Sequence, residues 1–122
     1  MRRKGFAPVA ALAALALLAL TVSAFARPGS QSATPTRVTV NMTEFKFALS
    51  KKTVKKGTVA FRVVNKGTVG HDFKIKGKKT RILAAGRSAT LRVVFTKAGR
   101  YRYLCTLPTH ATAGMKGVFV VK

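Results

Sequence analysis

Residues 101–117 read YRYLCTLPTHATAGMKG. Tyr101, Tyr103 and Cys105 alternate with Arg102 and Leu104, the period of a half-buried β-strand. Behind that strand comes a loop with the spacing Cys-x4-His-x4-Met: Cys105, His110 and Met115. Cys105 is the sole cysteine, and His110 is one of only two histidines. The stretch therefore ends a strand in a set of sulfur and nitrogen side chains, and the rest of the chain is read as the frame around it.

The same period of two continues outward from this stretch. Upstream, Val38, Val40 and Met42 alternate with Thr39 and Asn41, and Phe45, Phe47 and Leu49 with Lys46 and Ala48. Val59, Phe61 and Val63 alternate with Ala60, Arg62 and Val64. His71, Phe73 and Ile75 alternate with Asp72, Lys74 and Lys76, and Leu91, Val93 and Phe95 with Arg92 and Val94. Ile82 and Leu83 add a short candidate strand, and residues 118–121 form a last, nearly continuous apolar one. Lys-Gly and Ala-Gly pairs at 56–57, 66–67, 76–77, 85–86 and 98–99 mark turns. No segment beyond the N-terminal region repeats at helical spacing. Seven or eight short strands so spaced predict an all-β fold, an antiparallel two-sheet sandwich or barrel.

At 122 residues the chain has room for one domain. Residues 1–26 read as a secretory signal peptide: Arg2, Arg3 and Lys4, then an Ala/Leu-rich apolar run, then Ala24-Phe25-Ala26 as a cleavage site. The alternative is an uncleaved anchor, since the uncharged run 5–26 is long enough to cross a bilayer. Residues 27–35, RPGSQSATP, read as a flexible lead-in, and residues 36–122 as the folded domain. The expectation is export to the periplasm or the extracellular space. A lone cysteine excludes an intrachain disulfide, and in an exported chain it is either held by a metal or left reactive.

A thiolate, an imidazole and a thioether on one loop suit a soft or borderline metal. The second imidazole has one source, His71. One thiolate, two imidazoles and a weak thioether make the ligand set of a blue-copper electron-transfer site. Alternation puts His71 and Cys105 on the core-facing sides of their strands, with His110 and Met115 on the loop.

The segments YLCTLPTHATAGMKGVFVV and NKGTVGHDFKI resemble the cupredoxins, the blue type 1 copper proteins of the plastocyanin, azurin and auracyanin kind. The spacing is nearer to azurin and auracyanin than to plastocyanin. The resemblance covers residues 36–122 and implies a Greek-key β-sandwich holding one copper ion that cycles between Cu(I) and Cu(II). It implies His71, Cys105, His110 and Met115 as metal ligands, His110 as the solvent-edge ligand through which electrons pass, and Met115 as the axial thioether. Asn65 and Gly67 match the family's N-x-G turn. Leu107, Pro108, Ala111 and Ala113 match its apolar collar. Two positions depart from the pattern. Asp72 stands where an Asn is common, and a carboxylate only accepts hydrogen bonds, which leaves open the side-chain bracing drawn from that Asn. Leu104 stands where plastocyanin has a tyrosine electron port.

Two histidines are too few for the extra copper of multicopper oxidases or copper nitrite reductases, and one cysteine too few for a binuclear site. A Cys105–His110 nucleophile pair would leave His71 and Met115 unexplained. The expectation is a carrier of single electrons between redox proteins, not an enzyme. The alternative is a protein that stores or delivers copper without redox cycling.

There are 24 Lys and Arg against two acidic residues, Glu44 and Asp72, a formal charge of +22, of which +19 lies in residues 27–122. Such a balance points to redox partner proteins with acidic docking surfaces, or to an anionic membrane or cell-envelope surface. It comes with no nucleic-acid motif, so no specific nucleic-acid partner is expected. The domain is expected to act as a monomer.

Overall fold

The computed structural model describes Gly5 and residues 33–122. The signal-peptide reading of residues 1–26 and most of the lead-in lie outside the described residues. From residue 36 onward the expected β pattern is present, with no helix among the described residues. The strands are β1 (Thr36–Thr43), β2 (Lys46–Leu49), β3 (Thr53–Val54), β4 (Gly57–Asn65), β5 (Lys74–Ile75), β6 (Lys78–Lys79), β7 (Ser88–Phe95), β8 (Gly99–Leu104) and β9 (Lys116–Val121). They form a four-stranded sheet in the order β2-β1-β4-β7 and a five-stranded sheet in the order β3-β9-β8-β5-β6. Most neighbours are antiparallel, while β1 runs parallel to β4 and β3 to β9.

Alternation works because each sheet turns one face inward. Val38, Val40 and Met42 of β1, Val59, Phe61 and Val63 of β4, and Val93 and Phe95 of β7 are buried. They meet Ile75, Tyr103, Phe119 and Val121 from the second sheet. Phe61 is the aromatic hub, its ring 5.2 Å from those of both Phe73 and Phe119 and 6.3 Å from that of Phe95. Arg62, Lys74, Arg92 and Arg102 point to solvent, as the pattern requires.

The pattern fails where pairing is short. The segment from His71 to Ile75 is not one continuous strand. His71 makes an isolated bridge to Leu83, and regular pairing begins only at Lys74. Asp72, expected outward, is 1% exposed, because hydrogen bonds from Thr106 draw it inward. Phe45, in phase with Phe47, precedes β2 and is 41% exposed. β2 is an edge strand, and the chain turns out of the sheet before Lys46, so the Phe45 ring lies against the two histidines instead.

Candidate metal centre

Both sheets deliver side chains to one end of the sandwich. β8 ends at Leu104, and Cys105 follows with its N–H bonded to Met115 O (3.1 Å), just before β9 begins. The loop between them is wound tightly. His110 N–H donates to Leu107 O, Ala113 N–H to Thr109 O, Gly114 N–H to Ala111 O, and Met115 N–H to His110 O, at 2.9–3.2 Å. Gly114 is needed there, since its φ is +125° and a Cβ would stand 3.1 Å from the Phe45 carbonyl. Cys105, His110 and Met115 are thus fixed relative to one another by backbone bonds, and Met115 is fully buried in the same core cluster as Cys105.

His71 comes from the other side, held by reciprocal backbone bonds to Leu83 (3.2 and 2.8 Å). Asn65, at the end of β4, ties that region together. Its side-chain NH2 donates to Val69 O (2.8 Å) and Leu83 O (2.7 Å), and its Oδ1 accepts from Gly67 N–H (2.9 Å). This is the structural content of the N-x-G turn.

The donor atoms converge. His71 Nδ1 lies 3.1 Å from His110 Nδ1, and Cys105 Sγ lies 3.5 Å from His110 Nδ1. The ligand atoms of His71, Cys105 and His110 all lie within 4.8 Å of one another. Imidazole nitrogens bind such metals at about 2.0 Å and thiolates at about 2.3 Å, so donors sharing one ion sit about 3–4 Å apart. The spacing fits one ion. His71, Cys105 and Met115 are at most 1% exposed, whereas His110 is half-buried.

The atoms around the ligands are equally specific. Each histidine turns Nδ1 inward, which leaves the Nε2 of His71 to meet Glu44 Oε1 at 3.0 Å. That oxygen also accepts the backbone N–H groups of Thr68 (2.8 Å) and Val69 (3.0 Å). Gly67 makes the space, because a Cβ there would fall on the Glu44 carboxylate. The Val69 N–H, the His71 ring and the Thr68 N–H hold the Glu44 carboxyl down at about 2, against an ordinary 4.5. A carboxylate on the outer nitrogen of a ligand histidine fixes its tautomer and raises its basicity. Burial pushes the Cys105 thiol up, and the Asp72 carboxylate adds to the rise, while the backbone N–H groups of Asp72 and Leu107 act in the opposite direction. These N–H groups favour the thiolate that a metal requires.

Asp72 is braced as an acceptor, because its partner supplies the donors. Thr106 N–H donates to Asp72 Oδ1 at 2.6 Å and the Thr106 hydroxyl donates to Oδ2. Each of these residues directly follows a ligand, so the pair links His71 to Cys105. Glu44, Phe45 and Thr106 were not singled out in the sequence. Phe45 packs edge-on against His110, with ring centroids 5.0 Å apart, and against His71 at 6.4 Å. The one sequence signal for Glu44 was its rarity, as one of two acidic residues in the chain.

The Cupredoxin-like domain family matches residues 10–121 of this sequence. The chain belongs to the cupredoxin family. The copper-resistant cuproprotein CopI of Rubrivivax gelatinosus is 31% identical over 121 residues, covering 80% of this chain and 73% of that protein. The fold is similar to that of reduced auracyanin from Roseiflexus castenholzii (TM-score 0.58, 24% identity, covering 73% of this chain and 97% of that one). It is also similar to auracyanin A from Chloroflexus aurantiacus, described as a "blue" copper protein (TM-score 0.60, 20% identity, covering 73% and 100%). Within this cupredoxin fold, His71, Cys105, His110 and Met115 are arranged as a type 1 site for a single copper ion.

Proposed function

We propose that this cupredoxin is an exported, mononuclear blue copper protein that carries single electrons between redox partners. The observation that carries the reading is the asymmetry of the site: three ligand residues are sealed in the sandwich and His110 alone reaches its edge. Bound copper would supply the one-electron couple. The chain supplies the rest. Glu44 and the Leu83 bridge hold the His71 ring, backbone N–H groups stabilise the Cys105 thiolate, and the tight 107–115 loop limits movement on a change of oxidation state. Leu107 and Ala111 are half-buried beside His110, and Pro108 and Ala113 are exposed. Together they would let a partner approach that ring without intervening water. The chain has a carrier's work on this reading, with no catalytic residues. Partners with acidic faces would be gathered by its positive field, through an attraction that weakens with salt. Export, to the periplasm or beyond, rests on the composition of residues 1–26.

The test is the visible and electron-spin-resonance spectrum of the copper-loaded protein, followed by voltammetry. An intense thiolate-to-copper band and fast reversible one-electron cycling are expected. A colourless Cu(II) form refutes the blue site. The copper-resistance description of the Rubrivivax relative favours a second reading, in which the chain binds or delivers copper without cycling it. Ready transfer of copper to an apo acceptor, with sluggish voltammetry, would establish that reading instead.

A further inference from the structure

The outer face of the four-stranded sheet carries a feature that copper chemistry does not use. Register places Arg37 of β1 and Arg92 of β7 on either side of Ala60 of β4. Two residues along, it places Thr39 and Thr90 on either side of Arg62. The result is a two-row grid, Arg-Ala-Arg over Thr-Arg-Thr, on the face opposite Val38, Phe61 and Val93. These six residues line a concavity of about 310 Å³. Strands lie about 4.8 Å apart and alternate residues about 6.7 Å apart along a strand. The Cα atoms of Arg37 and Arg92 are therefore about 10 Å apart, with that of Arg62 about 8 Å from each.

Like charges on adjoining strands repel, and no carboxylate relieves them. The sequence has two acidic residues, and both are engaged at the metal centre, Glu44 by His71, Thr68 and Val69, and Asp72 by Thr106. Among the described residues none of the three guanidiniums has a carboxylate partner. Ala60 is 9% exposed and forms a floor between the flanking arginines. Guanidinium forks bind phosphate oxygens in bidentate fashion, and threonine hydroxyls add donors.

We propose that this grid is a phosphate-binding site, in which Arg37, Arg62 and Arg92 close over Ala60 on one phosphate group. The group is either a free phosphate or the headgroup of an anionic phospholipid, and the two sources share the same recognition chemistry. Because the site lies on the outer face of the sheet, away from the ligand loop, it works whether or not the copper cycles.

The full-length protein is titrated calorimetrically with inorganic phosphate, and sedimented with vesicles of phosphatidylglycerol or phosphatidylcholine. Arg37→Gln/Arg62→Gln/Arg92→Gln is compared with Lys51→Gln/Lys52→Gln/Lys97→Gln, which removes the same charge from exposed positions elsewhere. Ala60→Leu fills the floor with no change in charge. Saturable binding should weaken about tenfold or more in the arginine triple variant and in Ala60→Leu, and less than about threefold in the lysine control. One-to-one binding of inorganic phosphate with that pattern identifies free phosphate as the source. The same pattern on phosphatidylglycerol vesicles alone identifies the headgroup. Equal losses in the two triple variants, with Ala60→Leu unchanged, or no binding of either probe, would overturn the proposal. The metal-site absorption spectrum of each variant reports that the fold is intact.

Discussion

Asp72 and Thr106 should behave as one energetic unit, and a double-mutant cycle measures it. Asp72 is buried and accepts two hydrogen bonds from Thr106, one from the backbone and one from the hydroxyl. Hydrogen bonds to a charged group contribute about 1.5–3 kcal/mol each, offset by the cost of burying the carboxylate. Asp72→Ala should therefore cost about 2–4 kcal/mol. Thr106→Val removes only the hydroxyl donor and should cost about 1–2 kcal/mol. In the double variant that hydroxyl bond is already gone, so the loss should fall short of the sum by about 1–2 kcal/mol. Asp72→Asn is the control. Its amide oxygen can still accept the Thr106 N–H, and the hydroxyl can turn to accept from the amide NH2, so a cost of about 1 kcal/mol is expected. For a domain whose whole stability is about 5–15 kcal/mol, these losses are easily read by urea denaturation. Additivity of the two single variants within about 0.5 kcal/mol would refute the coupling. In that case the tie between Asp72 and Thr106 would rest on the Thr106 N–H alone.

Three further variants test the centre itself. Cys105→Ser should abolish the thiolate-to-copper colour while copper remains on His71 and His110, and a retained blue band would disprove the ligand assignment. Met115→Leu should stay blue with a raised reduction potential in voltammetry, since the weak thioether donor is lost; an unchanged potential would remove Met115 from the axial position. Glu44→Gln should also raise the potential, because a negative charge behind His71 is removed. The Glu44 carboxyl is depressed to about 2 in the folded protein, so its contribution to stability is present above the unfolded value near 4.5 and is lost as pH falls through about 2. Acid-unfolding curves of the apo protein should accordingly be flatter in Glu44→Gln over that window.

Much of the fold was legible because a sandwich of long paired strands writes its burial directly into alternation. Val38-Val40-Met42 and Val59-Phe61-Val63 point inward because their neighbours on adjoining strands do so in register. The rule loses its hold where pairing thins to a single bridge or has not yet begun, as at the His71–Leu83 bridge and before β2. There a side chain's direction is set by whatever it can bond. Asp72 turns inward because Thr106, distant in sequence, offers two donors, and Phe45 turns outward from the core because the strand has not yet begun.

The ligands were legible for a different reason. The centre needs residue types so scarce in this chain that one cysteine and two histidines leave no choice of assignment. What surrounds them is built largely from backbone groups, which any residue carries: the Thr68 and Val69 N–H groups on Glu44, the Leu83 carbonyl on Asn65, and the Asp72 and Leu107 N–H groups on sulfur. Charge is the exception. A chain with 24 basic residues places both of its acidic ones beside the ligands. A neutral carbonyl could orient His71 as well as Glu44 does. A carboxylate does something more, because it opposes the positive field of the domain at the point where an ion gains a unit of charge on oxidation. By Coulomb's law that favours the oxidised state and lowers the potential relative to a site with neutral neighbours. Glu44→Gln, which keeps the side chain's shape and an acceptor oxygen but removes the charge, isolates that effect from orientation.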